Sequence, residues 1–277
     1  MSEPEYALGR TAGEYDRLIE QAQIMRPLTE RMLHSAGVRP GMHVLDIGCG
    51  VGDVSFLVSE IVGGAGSVVG VDVDRAALEV AAGRRAAGGI GNVEFGAGSI
   101  ASIAFDREFD AAVGRFVLMF IDQPTAVLRR LREVLRPGGI VAFQEPVGDV
   151  HGVSSTRQPL LSSILDLLTA TFERSGAHPS IGQDLYALML EAGFEPEPTP
   201  IAEIALHTGD QLPGARRWAL FARSLLPKIL EYGLATEAEI DVETLEARLG
   251  DECHTAGGVI PLTYLMVAQW AHKPERS

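Results

Sequence analysis

The chain has 277 residues, 37 acidic against 23 basic side chains for a formal charge of −14, and two cysteines, Cys49 and Cys253. That length buries a full core without a disulfide scaffold, the two cysteines read as free thiols in a reducing cytoplasm, and the acidity repels a phosphate backbone, which weighs against a nucleic-acid partner. The first residues carry acid where a secretory signal carries base, and no apolar run approaches the roughly 18 residues of a membrane span, so a soluble cytoplasmic protein with no membrane partner is expected.

Residues 1–40 are expected to form a helical lid. From Tyr15 to Ala36 apolar side chains recur at helical spacing, with Leu18, Ala22 and Met25 on one face and Leu28, Met32 and Leu33 on the next; Pro27 between them predicts a break into two helices. Tyr15, Arg17 and Gln21 are polar groups in this stretch, Arg17 and Gln21 one turn apart. They make either a solvated face or a closure over a ligand.

Residues 41–206 alternate strand and helix patterns. Val44–Ile47, Ser67–Val71, Val93–Phe95, Phe109–Val113 and Ile140–Phe143 read as buried strands. Between them, Val54, Leu57, Val58, Ile61 and Val62 fit one helix, and Ala77, Val80 and Ala81 fit a second behind Asp74 as its N-cap. A third runs from Asp122 as N-cap through Pro124 to Leu135, stopping at Pro137-Gly138-Gly139. Such alternation specifies an α/β fold: a doubly wound, mostly parallel sheet, expected to have seven strands, with ligands bound beyond the carboxyl ends of the strands.

After Phe143 the alternation loosens. A helical insertion is expected at about 151–180, with helical patterns at Leu160–Phe172 and Ile181–Ala192 and a strand at Ile201–Leu206. Residues 207–257 read as a cap insertion of two or three helices, too long for a sheet connection, and 258–277 as the last strand, about Leu262 to Trp270, with a tail. Most apolar and aromatic side chains in these helices are expected to pack as core, with Trp218 or Phe221 bordering an acceptor pocket.

The turn Asp46-Ile47-Gly48-Cys49-Gly50-Val51-Gly52 follows the first strand, its glycines letting the backbone turn sharply and approach a ligand. A dinucleotide site uses similar glycines, but its spacing needs glycine where Asp53 stands, and it does not favour a carboxylate at Asp46. Asp72 ends the second strand 24 residues beyond Gly48, near the offset at which an acid accepts both hydroxyls of a ribose. No Gly-Lys-Ser/Thr follows the glycines and no His-Glu-x-x-His helix is present, so neither a P-loop nor a metal site is expected.

With Val44–Asp53, Val69-Gly70-Val71-Asp72, Gly114–Met119 and Leu135–Gly139, together with Leu8–Arg10 and Glu14–Ala22, the chain resembles the class I S-adenosylmethionine-dependent methyltransferases and, within them, a bacterial small-molecule methyltransferase-domain group. The likeness covers about residues 6–147. It implies S-adenosyl-L-methionine as cofactor, with Gly48, Cys49 and Gly50 under the methionine part, Asp46 near its ammonium, and Asp72 with Val73 at ribose and adenine. It places Gly98-Ser99-Ile100 along the adenine edge, where many relatives carry an aspartate in place of Ser99. Gly114 and Arg115 face the methionine end, and Tyr15 and Gln21 close over it.

Transfer from a sulfonium methyl needs positioning more than acid–base chemistry, but a hydroxyl or ammonium acceptor must lose a proton. Glu145 and His151 are the candidate catalytic bases, Glu145 alternatively a carboxylate that binds neighbouring backbone and His151 alternatively a loop histidine. Arg115 answers either an anion beside the cofactor or a salt bridge to Asp110 or Asp122. The expected function is methyl transfer to an oxygen, nitrogen or carbon of a small, fairly apolar metabolite. A nicotinamide-dependent oxidoreductase and a non-catalytic cofactor-fold binding protein are the alternatives. The acceptor's identity and the oligomeric state stay open, a homodimer being one option.

Overall fold

The computed structural model describes residues 12–148, 158–209 and 213–275. Leu8–Arg10 and His151 lie outside them. Helix α1 (Ala12–Ser35) leads into β1 (His43–Ile47), α2 (Asp53–Val62), β2 (Ser67–Asp72), α3 (Arg75–Ala87), β3 (Val93–Ala97), β4 (Phe109–Arg115), α4 (Pro124–Val134) and β5 (Leu135–Val147). There follow α5 (Pro159–Arg174), α6 (Leu185–Glu191), β6 (Glu195–Pro196), β7 (Ile201–Glu203), β8 (Leu206–Thr208), α7 (Pro213–Glu231), α8 (Glu237–Ile240), α9 (Leu245–Thr255), β9 (Val259–Pro261) and β10 (Leu265–His272).

The main sheet has the order β3-β2-β1-β4-β5-β10-β6, and β7 also pairs with β10. Strands β1 to β5 are parallel to their neighbours, while β10 runs antiparallel to β5, β6 and β7. The expected doubly wound sheet is present, with eight strands among the described residues rather than seven because the outer edge of β10 is shared by two short ones. Strand order reverses between β1 and β4, which opens a crevice beyond their carboxyl ends. One apolar core layer joins α4, α5, α6 and the cap helices to one face of the sheet; a second joins α1 and α2 to the other.

Several local expectations need correction. α1 is one helix through Pro27 rather than two. An interior proline costs about 3 kcal/mol, whereas Met25, Leu28, Met32 and Leu33 on either side are all buried, each contributing roughly 1.5–3 kcal/mol; packing outweighs the lost bond. α4 ends at Val134, and Leu135–Gly139 already belong to β5, which irregular pairing bends where Phe109 faces Leu135 and Ala111 faces Ile140. Gln123, not Asp122, precedes α4, without a side-chain cap. The single strand expected at Ile201–Leu206 divides into β7, on the main sheet, and β8, which pairs with β9 in a separate ribbon. Asp74 does cap α3, accepting from the amides of Ala76 and Ala77.

The cap is tied down by polar contacts as well as apolar packing. Glu252 of α9 accepts from the first amides of α5, Leu160 at 2.7 Å and Leu161 at 2.9 Å, which satisfies groups a helix N-terminus leaves open. Trp218 of α7 is fully buried and donates its indole N–H to the Pro261 carbonyl at 2.7 Å.

Candidate functional site

β1 delivers the chain into a turn that only glycines can make. Gly48, Gly50 and Gly52 all have positive φ, and a Cβ on Gly48 would stand 2.4 Å from the Val117 Cγ2. The turn is pinned from outside: Arg84 of α3 donates to the Val51 carbonyl at 2.6 Å and pairs with Asp53 at 2.7 Å. Cys49 is buried in the turn and its amide donates to the Val71 carbonyl.

Of the two carboxylates beside this cradle, Asp72 lines the cavity and Asp46 lies behind the lining. Asp46 is buried; one oxygen accepts from the Ser55 hydroxyl at 2.6 Å and the other, Oδ1, has no partner. Burial pushes its pKa up to about 7 against the opposing pull of Ser55 and Arg115. Asp72 accepts from the Gly50 amide at 2.7 Å on one oxygen and the Asp74 amide at 2.8 Å on the other. Burial raises its pKa and those amides oppose the rise. Each oxygen keeps lone-pair capacity for a ribose hydroxyl. Val73, half exposed, and Gly98, Ser99 and Ile100 line the same cavity. The Ser99 hydroxyl accepts from the Ala101 amide at 3.3 Å, bracing its own turn.

At the end of β4, Arg115 lines the cavity and donates to the Thr29 hydroxyl at 2.9 Å. The expected salt bridges to Asp110 or Asp122 are not formed: Asp110 pairs with Arg136 at 2.6 Å. Burial lowers the Arg115 pKa, and Asp53 and Asp46 partly offset that cost. Phe116 follows with φ 54, the left-handed region that a bulky side chain seldom occupies outside sites where the surroundings enforce it. Gly114 supports this corner from behind, packed where a Cβ would come within 2.6 Å of Phe143.

Glu145 is the enforcing group. It lies within β5 rather than beyond it, is fully buried, and its Oε1 accepts from the amides of Val117 and Leu118, both at 2.9 Å. It is not among the residues that line the cavity. Its Oε2 has no partner, and burial pushes its pKa up to about 7. Of the two roles open to Glu145, backbone binding is the one its hydrogen bonds show.

The roof comes from α1 and α7. Tyr15 donates its hydroxyl to Asp74 at 3.0 Å, closing α1 onto the start of α3. Arg17 is held by Glu14 through two bonds, 2.8 and 2.6 Å, and donates to the Gln21 carbonyl oxygen at 3.0 Å. Arg217 of α7 donates to that same oxygen at 3.1 Å. Tyr15, Arg17 and Gln21 therefore belong to the cavity wall and not to a solvated face. The cavity has a volume of about 690 Å³ and extends to Phe116, Phe172, Phe221, Pro179 and Tyr264. Of Trp218 and Phe221, it is Phe221 that lines the cavity, while Trp218 is buried in the core.

Arg217, Tyr264, Thr263, Pro179 and Arg130 join the cavity without having been singled out in the sequence. Tyr264, Thr263 and Pro179 come from segments with no local motif, whereas Arg130 and Arg217 each carried a hint, a charge inside an apolar helical pattern. Among the described residues no cluster of side chains could hold a metal ion.

A reversed strand order, a glycine cradle at its switch point, an acid closing the second strand and an antiparallel strand beside β5 define a Rossmann-like methyltransferase fold. The chain belongs to the methyltransferase-domain family, whose model matches residues 39–193. It is 36% identical over 140 residues to nocamycin O-methyltransferase of Saccharothrix syringae, covering 50% of this chain and 49% of that protein, so the chain spans about half of that relative's length. It is 31% identical over 194 residues to the ubiquinone/menaquinone biosynthesis C-methyltransferase UbiE of Shewanella woodyi, covering 64% of this chain and 77% of that one. Among solved structures it is similar to the YcgJ protein of Bacillus subtilis, with a TM-score of 0.59, 19% identity, and 89% and 98% of the two chains covered. The family's cofactor is S-adenosylmethionine. The cradle at Gly48 and the Asp72 carboxylate, both lining the cavity, fit that molecule, and membership sets aside the nicotinamide-dependent alternative.

Proposed function

We propose that the protein transfers the methyl group of S-adenosylmethionine to an oxygen, nitrogen or carbon of a small, fairly apolar metabolite by in-line displacement. One observation carries this reading. A single cavity of about 690 Å³ joins the glycine turn and Asp72 to the aromatic groups Phe116, Phe172 and Phe221 past Arg115. Its size falls in the range of small-molecule sites and its lining is mixed in the way such sites are.

In this reading Asp72 and Val73 hold the ribose and adenine, Gly98, Ser99 and Ile100 edge the adenine, and Asp46 receives the ammonium. Gly48, Cys49 and Gly50 underlie the methionine part, with Gly114 and Arg115 at its far end. The bound cofactor supplies a methyl group on a positively charged sulfur that departs readily. The protein supplies alignment and a dry site: Glu145 fixes the strained Phe116 turn, while α1, as part of a lid over residues 1–40, and the cap at residues 207–257 exclude water. Where an acceptor arrives protonated, His151, which follows Gly148 by three residues, is the proposed base.

The acidic surface supports a small acceptor over a nucleic acid, and two buried free thiols support a reducing, cytoplasmic setting. Among the described residues no helix is long and apolar enough to cross a membrane. The test is calorimetry with S-adenosylmethionine and S-adenosylhomocysteine, followed by transfer of isotopically labelled methyl into a metabolite extract read by mass spectrometry. Absence of cofactor binding would overturn the reading; binding with no labelled product would leave only a binding role.

A further inference from the structure

Three guanidinium groups, Arg17, Arg115 and Arg217, meet on one wall of the cavity. Burying a cation costs heavily unless an anion answers it, and unanswered ones mark ligand sites. Arg17 is answered by Glu14. Among the described residues neither Arg115 nor Arg217 has a carboxylate within ion-pair distance.

Arg217 is the sharper case. It donates to the neutral Gln21, its Nε is buried without a partner, and its guanidinium stands over the Trp218 ring at 5.5 Å. Burial, with Arg17 and Arg115 close by, lowers its pKa to about 9; Tyr264 and Glu20 oppose this and do not cancel it. Two unanswered cations call for two anions, of which the methionine carboxylate is one. Arg115 is the better partner for it, because Arg115 feels Asp46 and Asp53 at the cradle. Arg217 instead shares the far end with Phe221, Thr263 and Tyr264.

Resting on the methyltransferase reading, we infer that the acceptor is an anion, an aromatic or alicyclic acid whose carboxylate is seated on Arg217. The described cavity wall carries no histidine, lysine or glutamate, and Asp53, Asp72, Asp74 and Asp122 are the acidic groups it offers as bases. An anionic oxygen needs none. Its lone pair forms the new carbon–oxygen bond, the carbon–sulfur bond breaks with its electrons passing to sulfur, the acceptor becomes neutral and no proton is released. Where the carboxylate serves as a handle instead, Arg217 positions the molecule for attack by another atom.

The experiment uses the full chain loaded with S-adenosylhomocysteine and a panel of aryl and alicyclic carboxylates, 2-naphthoate and cyclohexanecarboxylate included, each beside its neutral primary amide. Binding is read by calorimetry. At least one carboxylate is expected to bind roughly ten- to a hundredfold more tightly than its amide, the range expected for a bond to a charged group. Arg217→Gln is expected to erase that preference while S-adenosylhomocysteine affinity stays unchanged, and Arg217→Lys to keep part of it; thermal melts confirm that both variants fold. No carboxylate preference in the wild type, or a loss of S-adenosylhomocysteine affinity in Arg217→Gln with naphthoate binding intact, would overturn the inference. Failure of the wild type to bind S-adenosylhomocysteine would overturn the methyltransferase reading instead, so the two failures are separable.

Discussion

Replacing Glu145 by glutamine separates the two roles open to that residue. The amide oxygen of the introduced side chain can accept the Val117 and Leu118 N–H groups as the carboxylate does, and its NH2 takes the place of the unpartnered Oε2. Burial lifts the carboxyl pKa from 4.5 to about 7, a difference in proton affinity of about 3 kcal/mol between folded and unfolded chains. The folded protein binds the proton more tightly. This contribution to stability is therefore complete below the unfolded pKa of 4.5 and is lost as pH rises through about 7. About 2 kcal/mol of it disappears between about pH 5.5 and about pH 8.5. Urea unfolding of wild type and Glu145→Gln at those two pH values should show the variant gaining about that much relative to wild type at the higher pH. Asp46 titrates in the same window but is common to both proteins and cancels. Turnover should stay within about tenfold of wild type, whereas losing a general base costs about 10²–10⁴-fold. A collapse of turnover with no change in the pH dependence of stability would refute the backbone-binding role.

Asp72→Ala is expected to weaken S-adenosylmethionine binding by about 1.5–3 kcal/mol, the value of hydrogen bonds to a charged group; unchanged affinity by calorimetry removes Asp72 from the ribose site. Phe221→Ala should alter the acceptor Michaelis constant or product pattern at constant cofactor affinity. Trp218→Ala, by contrast, should cost about 3–5 kcal/mol of stability, read by denaturant melts, because a large buried side chain leaves a cavity. Identical acceptor profiles for wild type and Phe221→Ala would move the acceptor elsewhere. Deleting the residues before Arg26 removes the Tyr15–Asp74 closure and Gln21, and should abolish turnover and raise the cofactor dissociation constant. A truncated protein of normal activity would contradict α1 as a lid.

Much of the cofactor half was legible because its geometry is local. Glycines at 48, 50 and 52 and an acid at 72 sit next to the strand ends that place them, so position along the chain already determines position in space. The same holds for α3, whose Asp74 cap acts within three residues. Where local propensity competed with packing it failed as a guide: Pro27 stays helical because both flanks are buried, and Pro137-Gly138-Gly139 enters β5 as an irregular stretch between the Phe109–Leu135 and Ala111–Ile140 pairs, held by bonds between Gly138, Gly139 and Lys273.

The acceptor half had no such local rule. Arg17 and Arg217 are 200 residues apart and meet on one oxygen of Gln21, and Glu145 reaches back to the amides of residues 117 and 118. The arginine contacts exist only once α1 and α7 close over the sheet, and the Glu145 bonds only once β5 has paired beside β4. By itself the sequence determined the parallel sheet, the cofactor and the crevice that receives it, since hydrophobic period and turn chemistry act over a few residues. Only the tertiary structure decided that Glu145 braces a strained turn and that Arg17, Arg115 and Arg217 line one cavity, because burial and charge balance are properties of residues brought together from distant segments.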